Sequence, residues 1–292
     1  MTVLIPAITG QVASGLAAHL RAAQVPVRAL ARDRARAESA LSSLDGIELA
    51  VGALDDPDLL SAAFDGIELA FLSVGTDPRQ TELEKGFIDA AATAELPHLI
   101  KLSTIDSAPD SPNPVGRWHA EIEQHLTESG IAHTILRPAY FTTNLLRTAA
   151  PSVAATGRWF GTSPTGAIAM IAPTDVSAVA AAIMGDPTLR GRTYELTGPA
   201  ALTLPDVATI LTDLLDREIS YIPTTAETMR EAMARRGVPD YYTEVALGID
   251  RSVQAGLHAP LTDTVEKLLH RPATDARTVL AERLAAFTAA PA

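Results

Sequence analysis

The chain has 292 residues, 47% of them hydrophobic and 20% charged, and its formal net charge is −12 at pH 7. This acidic balance argues against direct binding to nucleic acid, because such binding needs a basic face that displaces counterions from phosphates. Cysteine is absent, which excludes disulfides, thiolate nucleophiles and sulfur-ligated metals.

The N-terminal segment MTVLIPAITG is largely apolar and carries no basic leader, so it predicts a first strand rather than a signal peptide. No apolar run approaches the roughly 18 residues that span a bilayer. The seven histidines show no metal-ligand spacing such as His-Glu-x-x-His. We therefore expect a cytoplasmic protein with neither a membrane anchor nor a metal site.

The first half of the chain alternates short apolar runs with segments of helical period. Each run is bounded by turn residues, which predicts a strand. The predicted strands are Val3–Ile5, Val27–Ala31, Ile47–Val51, Glu68–Ser73, His98–Ser103 and His133–Leu136. Strands joined by helical crossovers imply an α/β fold, a doubly wound parallel Rossmann sheet whose ligand crevice lies beyond the carboxyl ends of the strands.

The pattern changes after about residue 150. The segment SVAATGRWFGTSPTG predicts loops, a helix is predicted at about 174–185, TYELTG predicts one more strand, and another helix opens near Leu204–Pro205. We predict a Rossmann-type dinucleotide-binding domain over 1–150. A smaller, mainly helical substrate-binding lobe follows over 151–292, with part of 170–200 returning to the Rossmann domain.

Four segments occur in order along nearly the whole chain: VRALARDRARA, GRWHAEIEQHLTESGIAHTILRPAYFTTN, TDVSAVAAAIM and GRTYELTGPAALT. This ordered series resembles the NmrA-like family of atypical short-chain dehydrogenases/reductases. The family includes NAD(P)H-dependent quinone and azo-dye reductases, isoflavone-type reductases, and redox-sensing regulators that bind the dinucleotide without turning it over. The resemblance therefore implies a dinucleotide site in the Rossmann domain.

The turn after the first strand reads VLIPAITGQVASG, where the family has Thr-Gly-Ala-Thr-Gly-x-x-Gly. The resemblance makes Gly10 the middle glycine, whereas Ala7 and Ala13 replace the first and the last. A left-handed Ala7 would carry strain on the order of 1–2 kcal/mol, which weakens a site without abolishing it. The amides of Gly10, Gln11 and Val12 could still bind phosphate at a helix N-terminus. A strand–turn–helix without a ligand is the alternative.

Arg32 follows the second strand, and no acidic residue ends that strand to bind the ribose hydroxyl of NAD. Its guanidinium suits a 2′-phosphate, so NADP(H) is expected if a dinucleotide binds; a solvated surface arginine is the alternative. The resemblance places Ser73, Val74 and Gly75 beside pyrophosphate and ribose. It also puts Ala53 where the family has an aspartate near adenine, so one polar contact is expected to be missing.

Ordinary short-chain dehydrogenases combine a serine with Tyr-x-x-x-Lys on the helix after the fifth strand. The resemblance aligns His119 and Glu123 with those two positions, and Ser103 ends the fifth strand. His119 could protonate a carbonyl or quinone oxygen, and Glu123 could orient its ring or accept from a ribose hydroxyl; a surface His–Glu pair is the alternative. Lys101, within the apolar strand HLIKLS, either faces the crevice and contacts ribose or phosphate, or reaches outward at an edge.

The segment RPAYFTTN follows the sixth strand. By the resemblance, Pro138 begins the loop that passes the nicotinamide, and Tyr140, Phe141 and Asn144 line the substrate side. Two aromatic side chains at the mouth of a cleft could stack a flat substrate. Packing of Phe141 into the core is the alternative.

Three functions fit these features. The first is an NADP(H)-dependent oxidoreductase that transfers hydride to a small quinone, enone or aromatic carbonyl substrate, with His119 or a bound water as the proton source. The second is a cofactor-independent dehydratase, cyclase or isomerase, which would work without nicotinamide. The third is a non-catalytic dinucleotide-sensing regulator with a protein partner. The sequence leaves a homo-oligomer open.

Overall fold

The structure is a computed structural model that describes residues 1–41 and 45–288. The strands are β1 (Val3–Ile5), β2 (Val27–Ala31), β3 (Ile47–Val51), β4 (Leu69–Leu72), β5 (His98–Leu102), β6 (His133–Pro138), β7 (Arg158–Gly161), β8 (Ala167–Ile168), β9 (Thr193–Leu196), β10 (Leu202–Thr203) and β11 (Ser220–Pro223). The α-helices are α1 (Gln11–Ala22), α2 (Arg34–Leu41), α3 (Pro57–Phe64), α4 (Gln80–Thr93), α5 (Pro114–Glu128), α6 (Leu145–Thr148), α7 (Ala150–Thr156), α8 (Pro173–Gly185), α9 (Leu204–Leu215), α10 (Ala226–Arg235), α11 (Asp240–Gln254), α12 (Thr264–Leu269) and α13 (Ala276–Glu282). Across these two ranges, no helix has both the length and the apolar character needed to span a bilayer.

The central sheet has seven strands in the order β3-β2-β1-β4-β5-β6-β9. The neighbouring strands pair in parallel, as in the register from Val27 opposite Ile47 to Ala31 opposite Val51. All six strands predicted for the first half are present, and the first three have the predicted bounds. The predicted α/β fold with a doubly wound parallel sheet is therefore confirmed.

The apolar strands in the middle of this sheet are buried along their whole length. Every residue of β1 and β4 is buried, which is typical of parallel strands covered by helices on both faces. One core cluster joins these strands to the helices α3, α4 and α5. Its members include Leu4, Leu30, Phe64, Leu72, Phe87, Ile88, Leu99, Ile122 and Leu126.

The order of the strands reverses at β1, which pairs with β2 on one side and with β4 on the other. In doubly wound sheets this reversal opens a crevice beyond the carboxyl ends of the two strands involved. The turn between β1 and α1 and the segment after β4 both start from those ends. The sequence prediction of a ligand site at these two turns thus falls at the switch point of the sheet.

Helix α1 packs closely against α8, and a glycine permits the approach. A Cβ atom added at Gly15 would lie 2.5 Å from Ser177 Oγ, which is too close for any side chain there. The Ser177 hydroxyl donates to the carbonyl of Val12 at 3.1 Å and also contacts the carbonyl of Pro173 at 2.9 Å. Gly15 thus supports helix packing, one turn after the residues that face the predicted phosphate site.

The chain divides into two compact units. Unit 1 comprises Met1–Pro109, Trp118–Arg137 and Pro173–Tyr194, and unit 2 comprises Asp110–Arg117, Pro138–Ala172 and Glu195–Ala292. Unit 1 therefore contains β1 to β5 complete, together with α1 to α4 and α8.

Unit 2 contains two small sheets that the sequence did not predict. Strand β7 pairs in parallel with β11, and β8 pairs antiparallel with β10. The first of these corrects the prediction of loops for SVAATGRWFGTSPTG, which contains the end of α7 and all of β7. Trp159 in β7 is buried and meets the ring of Tyr221 edge-on at 5.4 Å, so the partner that stabilises this strand lies far along the chain.

Candidate functional site

The turn from β1 into α1 has the backbone conformation that the family normally builds with glycine. Ala7 has φ +48°, in the left-handed region. Its carbonyl accepts from the Gly10 N–H at 3.0 Å, and the Ile8 N–H donates to the Leu30 carbonyl at 3.2 Å. The left-handed conformation considered for Ala7 is thus present, with strain on the order of 1–2 kcal/mol.

The first turn of α1 presents amide groups that no side chain caps. Gly10 is the N-cap in an extended conformation, no side chain caps the helix, and no acidic residue lies in its first turn. The N–H groups of Gln11, Val12 and Ala13 have no acceptor within the helix, as at any helix N-terminus. Thr9, Gly10 and Gln11 are exposed, whereas the Ala13 side chain is buried. These amides can therefore receive an anion.

Three arginines follow β2: Arg32, Arg34 and Arg36. Arg32 is exposed and has no hydrogen bond or ion pair within residues 1–41 and 45–288. Asp33 is engaged at the start of α2, where its carboxylate accepts from the Arg36 N–H at 3.1 Å. An open groove of about 330 Å³ lies beside α2. It is lined by Thr9, Arg36, Ser39 and Ala40.

Arg28, within β2, has a different task. Its guanidinium donates to the carbonyls of Ala63 at 2.9 Å and Asp65 at 2.7 Å, at the C-terminal end of α3. It also lies 3.0 Å from the Glu48 carboxylate. Arg28 is thus committed to neighbouring chain segments, whereas Arg32 is not.

Lys101 lies at the centre of a buried ionic cluster. Its side chain is 0% exposed and its ammonium lies 2.7 Å from Glu84 Oε2, a carboxylate that is also 0% exposed. The ammonium also donates to the Leu102 carbonyl at 2.6 Å and contacts His119 Nδ1 at 2.9 Å. Three acceptors match the three donors of an ammonium group. Lys101 therefore neither reaches into a crevice nor out at an edge, the two arrangements expected from the sequence.

Glu84 connects Lys101 to helix α4. Its carboxylate accepts from Gln80 Nε2 at 3.0 Å. Burial raises the pKa of the Glu84 carboxyl, and the ammonium of Lys101 opposes that rise. Gly75, the next residue after Val74, is exposed, and a Cβ added there would meet nothing within 4 Å. The backbone at Gly75 thus borders open space.

His119 is a neutral member of the same cluster. It is only 7% exposed, and burial together with the neighbouring Lys101 charge holds its pKa well below the usual range. Because Nδ1 accepts from Lys101, the ring proton is assigned to Nε2. The Gln80 amide nitrogen lies 3.4 Å from Nε2, but it is itself a donor, so these two atoms form no hydrogen bond in this tautomer. An imidazolium that could protonate a substrate is therefore not formed near neutral pH.

Glu123 belongs to a second cluster. The Ser103 hydroxyl donates to Glu123 Oε1, and the Arg137 guanidinium binds the same carboxylate through Nε at 3.1 Å and Nη2 at 2.5 Å. Glu123 and His119 share one face of α5 but exchange no hydrogen bond that the structure records. The sequence expectation that Glu123 orients the His119 ring is thus corrected, because a forked guanidinium is a stronger partner for a carboxylate.

The sequence model of the NmrA-like family matches residues 1–272. The chain belongs to the NmrA-like family. The match spans nearly the whole chain and bears out the resemblance carried by the four ordered segments.

The proteins similar to this chain include reductases. The chain is 32% identical over 288 residues to an NAD(P)H azoreductase of Xenophilus azovorans, covering 99% of this chain and 100% of that protein. It is 32% identical over 289 residues to the (4-alkanoyl-5-oxo-2,5-dihydrofuran-3-yl)methyl phosphate reductase of Streptomyces griseus, covering 98% and 99%. The crystal structure of an Escherichia coli NADPH-dependent quinone oxidoreductase complexed with NADPH superposes with TM-score 0.88 at 26% identity, covering 97% and 99%.

The residues that the family resemblance assigns to nicotinamide and substrate lie in unit 2. Pro138 ends β6 and is buried, and Tyr140, Phe141 and Asn144 are half-buried. The Ile171 N–H donates to the Tyr140 carbonyl at 3.1 Å, which holds the backbone of this segment. Desolvation raises the pKa of the Tyr140 hydroxyl to about 12, so it stays protonated. These four residues remain predicted contacts.

Three members of the two clusters were missed by the sequence analysis: Gln80, Glu84 and Arg137. A signal for the first two exists in α4, whose buried residues Gln80, Glu84, Phe87, Ile88 and Ala91 form one stripe. Two polar residues within an otherwise apolar stripe indicate a buried polar network. The ion pair could have been sought there, because a lysine within an apolar strand needs a partner.

Within the described part of the chain, no group of three or more histidine, aspartate or glutamate side chains is placed to hold a metal ion.

Proposed function

We propose that this protein is an NAD(P)H-dependent reductase that transfers hydride from NADPH to a small quinone, enone or aromatic carbonyl compound. Its relatives include an NAD(P)H azoreductase, a reductase of an oxo-dihydrofuran and an NADPH-dependent quinone oxidoreductase. The last two names describe acceptors with conjugated carbonyl character, and this supports the substrate class.

The observation that carries the proposal is the bare backbone at the start of α1. A Cβ at Gly10 would lie 3.4 Å from the Ala7 carbonyl oxygen and 3.9 Å from Ala13 Cβ, which are ordinary contacts. Packing within the protein therefore does not require glycine at this position. Glycine at an exposed helix N-terminus favours close approach of an anion, and pyrophosphate is the anion that this position of a doubly wound sheet binds.

Two turns of the chain, one before α1 and one after β4, would contact different parts of the cofactor. The amides of Gln11 and Val12 would bind the pyrophosphate, and the backbone at Ser73–Gly75 would border the adjoining ribose. The Gly10 N–H, which the sequence analysis also assigned to phosphate, already donates to the Ala7 carbonyl at 3.0 Å. Bound NADPH would supply the hydride.

Arg32 supports a preference for NADPH over NADH. It is exposed and uncommitted within the described ranges, and Arg36, on the helix that follows, lines a groove with Thr9. The neighbouring carboxylate, Asp33, accepts from the Arg36 N–H at the start of α2. Two arginine side chains are well suited to a 2′-phosphate.

We assign the proton of the reaction to water rather than to His119. The low pKa of His119, caused by burial and by Lys101, keeps its ring neutral, and both ring nitrogens face members of the buried cluster. Lys101 is likewise held in the cluster of Glu84 and His119, and Ser103 and Glu123 are held in the second cluster. We therefore assign His119, Lys101, Ser103 and Glu123 a structural role rather than proton exchange with the substrate.

Calorimetric titration of the purified protein with NADPH and NADH tests the cofactor. We expect NADPH to bind at least about tenfold more tightly, which corresponds to about 1.4 kcal/mol. Arg32→Ala should lose most of that preference, whereas Arg34→Ala should keep it, because Arg34 pairs with Glu38 on α2. Equal binding of the two cofactors by the wild type would contradict the role of Arg32.

Turnover of the wild type with a simple quinone and an unsaturated lactone tests the reaction. We expect oxidation of NADPH only when an acceptor is present. Conversion of the acceptor without any nicotinamide would instead support a cofactor-independent enzyme. Tight binding of NADPH with no turnover of any acceptor would support a sensor.

A further inference from the structure

We propose that Thr104 and Ser107, in the turn after β5, form a subsite for the nicotinamide half of the cofactor, and that Asp106 positions the Thr104 hydroxyl. The group bound there is neutral and both donates and accepts hydrogen bonds, as the nicotinamide carboxamide and the hydroxyls of its ribose do. This inference rests on the proposed function, because the subsite has an occupant only if a dinucleotide binds.

The turn follows a strand on the nicotinamide side of the sheet. Strand β5 pairs in parallel with β4, with Leu72 opposite Lys101, so both strands end at the same edge. In a doubly wound sheet, the strands on either side of the switch point serve the two halves of a dinucleotide. The side of β1, β2 and β3 carries the phosphate turn and Arg32, which assigns the nicotinamide half to the side of β4, β5 and β6.

Thr104 and Ser107 are the first and last residues of a four-residue turn. The Ser107 N–H donates to the Thr104 carbonyl at 3.1 Å. Such a turn keeps the α-carbons of its end residues within about 7 Å of each other. Thr104 is half-buried, and Ser107 is 9% exposed. One short turn therefore carries both hydroxyl groups.

Asp106 fixes the direction of the Thr104 hydroxyl. The hydroxyl donates to Asp106 Oδ1 at 2.9 Å, and Asp106 is only 5% exposed. A hydroxyl has one proton and two lone pairs, so an oxygen whose proton is committed to a carboxylate can only accept. No donor from residues 1–41 and 45–288 reaches this oxygen. Thr104 thus offers a fixed acceptor to an N–H or O–H group of a ligand.

Ser107 adds a buried hydroxyl without a partner. Its Oγ is shielded from solvent, and no group in the described part of the chain forms a hydrogen bond with it. Because the large majority of buried side-chain polar atoms are paired, an unpaired one points to a partner from outside the chain. This hydroxyl can donate to an oxygen. A carboxamide or a ribose hydroxyl supplies that oxygen together with the donor that Thr104 requires.

Three variants and three ligands test the subsite. Thr104→Val removes the hydroxyl but keeps the shape of the side chain, Thr104→Ser keeps the hydroxyl, and Ser107→Ala removes the buried one. Each variant is titrated by calorimetry with NADPH, with 2′-phospho-ADP-ribose, which lacks the nicotinamide, and with 2′,5′-ADP, which lacks the nicotinamide and its ribose. The free energy of unfolding in urea is measured alongside.

The expected losses are confined to ligands that reach the subsite. Thr104→Val and Ser107→Ala should each weaken NADPH binding about fivefold, as for the loss of one hydrogen bond, and leave 2′,5′-ADP binding unchanged. Thr104→Ser should bind NADPH like the wild type. Unchanged affinity for 2′-phospho-ADP-ribose identifies the carboxamide as the bound group, and a parallel loss identifies a ribose hydroxyl. Ser107→Ala should unfold no more easily than the wild type, since its hydroxyl has no partner in the described chain.

Asp106→Asn tests the positioning role. A neutral amide oxygen is a weaker acceptor than a carboxylate, so the variant should hold the Thr104 proton less firmly and bind NADPH about threefold more weakly. In the Thr104→Val background the same substitution should cause no further loss, because Asp106 acts on the cofactor only through Thr104. Equal losses in both backgrounds would overturn the positioning role.

The matched control is Thr188, whose hydroxyl donates to Asp186 Oδ1 at 2.7 Å in an exposed turn. Thr188→Val removes the same kind of hydrogen bond and should leave the binding of all three ligands unchanged. Unchanged NADPH affinity in Thr104→Val or in Ser107→Ala would overturn the role of that residue. Equal losses for NADPH and 2′,5′-ADP would also overturn it, because they indicate a general disturbance of the fold.

The two proposals fail in different ways. A wild type that binds no NADPH, and oxidises none with any acceptor, would overturn the proposed function and the subsite together. A wild type that binds NADPH no more tightly than Thr104→Val and Ser107→Ala would overturn the subsite alone.

Discussion

Helix α5 contributes to two ionic clusters that differ in their access to water. His119 joins the cluster of Lys101 and Glu84, whose charged side chains are both 0% exposed. Glu123, one turn later, joins Arg137, whose side chain is 28% exposed, at 2.5 Å. The shorter ion pair is the more hydrated one. We expect the removal of one member to cost more in the first cluster, where both charges are fully enclosed. In the second cluster, the Glu123 carboxylate left by removal of Arg137 is 9% exposed and keeps the Ser103 hydroxyl as a donor.

The largest effect is expected at the buried cluster. Lys101→Met leaves the Glu84 carboxylate buried without its counter-ion, and we expect a loss of about 3–5 kcal/mol in unfolding free energy. Urea denaturation at pH 7 measures it. If adding Glu84→Gln restores most of the lost stability, the isolated charge is the cause. A loss below about 1 kcal/mol in Lys101→Met alone would contradict the idea that the fully buried cluster is the more sensitive of the two.

A smaller effect is expected at the second cluster. Arg137→Gln removes both guanidinium contacts to Glu123, but Ser103 still donates to that carboxylate. We expect a loss of about 1–2 kcal/mol, because Arg137 is partly hydrated in the folded protein. The same denaturation experiment applies, and a loss as large as that of Lys101→Met would contradict the ranking by burial.

Acid should weaken the buried cluster. The pKa of His119 is lowered well below 6.5 by burial and Lys101, so below pH 6.5 the unfolded chain binds a proton that the folded chain does not. Stability then falls as pH falls from 6.5, by up to about 1.4 kcal/mol per pH unit for this histidine. His119→Asn should remove that part of the slope, as measured by unfolding between pH 7 and 5.

Part of the acid slope should remain in His119→Asn. Burial, with the charges of Arg190 and His133, lowers the pKa of His98 to about 4, so His98 contributes with the same sign down to that pH. An unchanged slope in His119→Asn would mean that His119 is protonated in the folded protein.

The smallest effect belongs to the surface pair of Lys85 and Glu121, whose side chains are 30% and 54% exposed. Glu121→Gln should change the unfolding free energy by less than about 0.5 kcal/mol. An exposed ion pair contributes little stability, because water solvates both charges when they are apart. Added salt should reduce the difference further. A loss comparable to that at Arg137 would show that hydration does not rank these pairs.

The sequence predicted the sheet well because its signal is local. Short apolar runs bounded by turn residues identified β1, β2 and β3 with their observed bounds. The small sheets of unit 2 escaped prediction, because β8 and β10 have two residues each and β7 pairs with a strand about sixty positions later, from Arg158 to Ser220. Such pairing leaves no periodicity in either segment.

Features of the candidate site that depend on a single residue could be predicted from the sequence. Hydrogen-bond and ion-pair partners from distant parts of the chain could not. The replacement of glycine by Ala7 indicated a strained turn, and its φ of +48° agrees. The spacing of His119 and Glu123 favoured a pair on one helix face, but Lys101 and Arg137 offered each of them a charged partner from another element. Glu84 on α4 was not chosen as the partner of Lys101 on β5, because the two residues become neighbours only in the folded chain.

The complete burial of Lys101 and Glu84 restricts which substitutions can accumulate at these two positions during evolution. Either substitution alone would pass through a poorly folded intermediate, while the simultaneous exchange of both would be nearly silent. Positions 84 and 101 should thus be inherited as one unit, and descendants of this chain would carry both charges or neither.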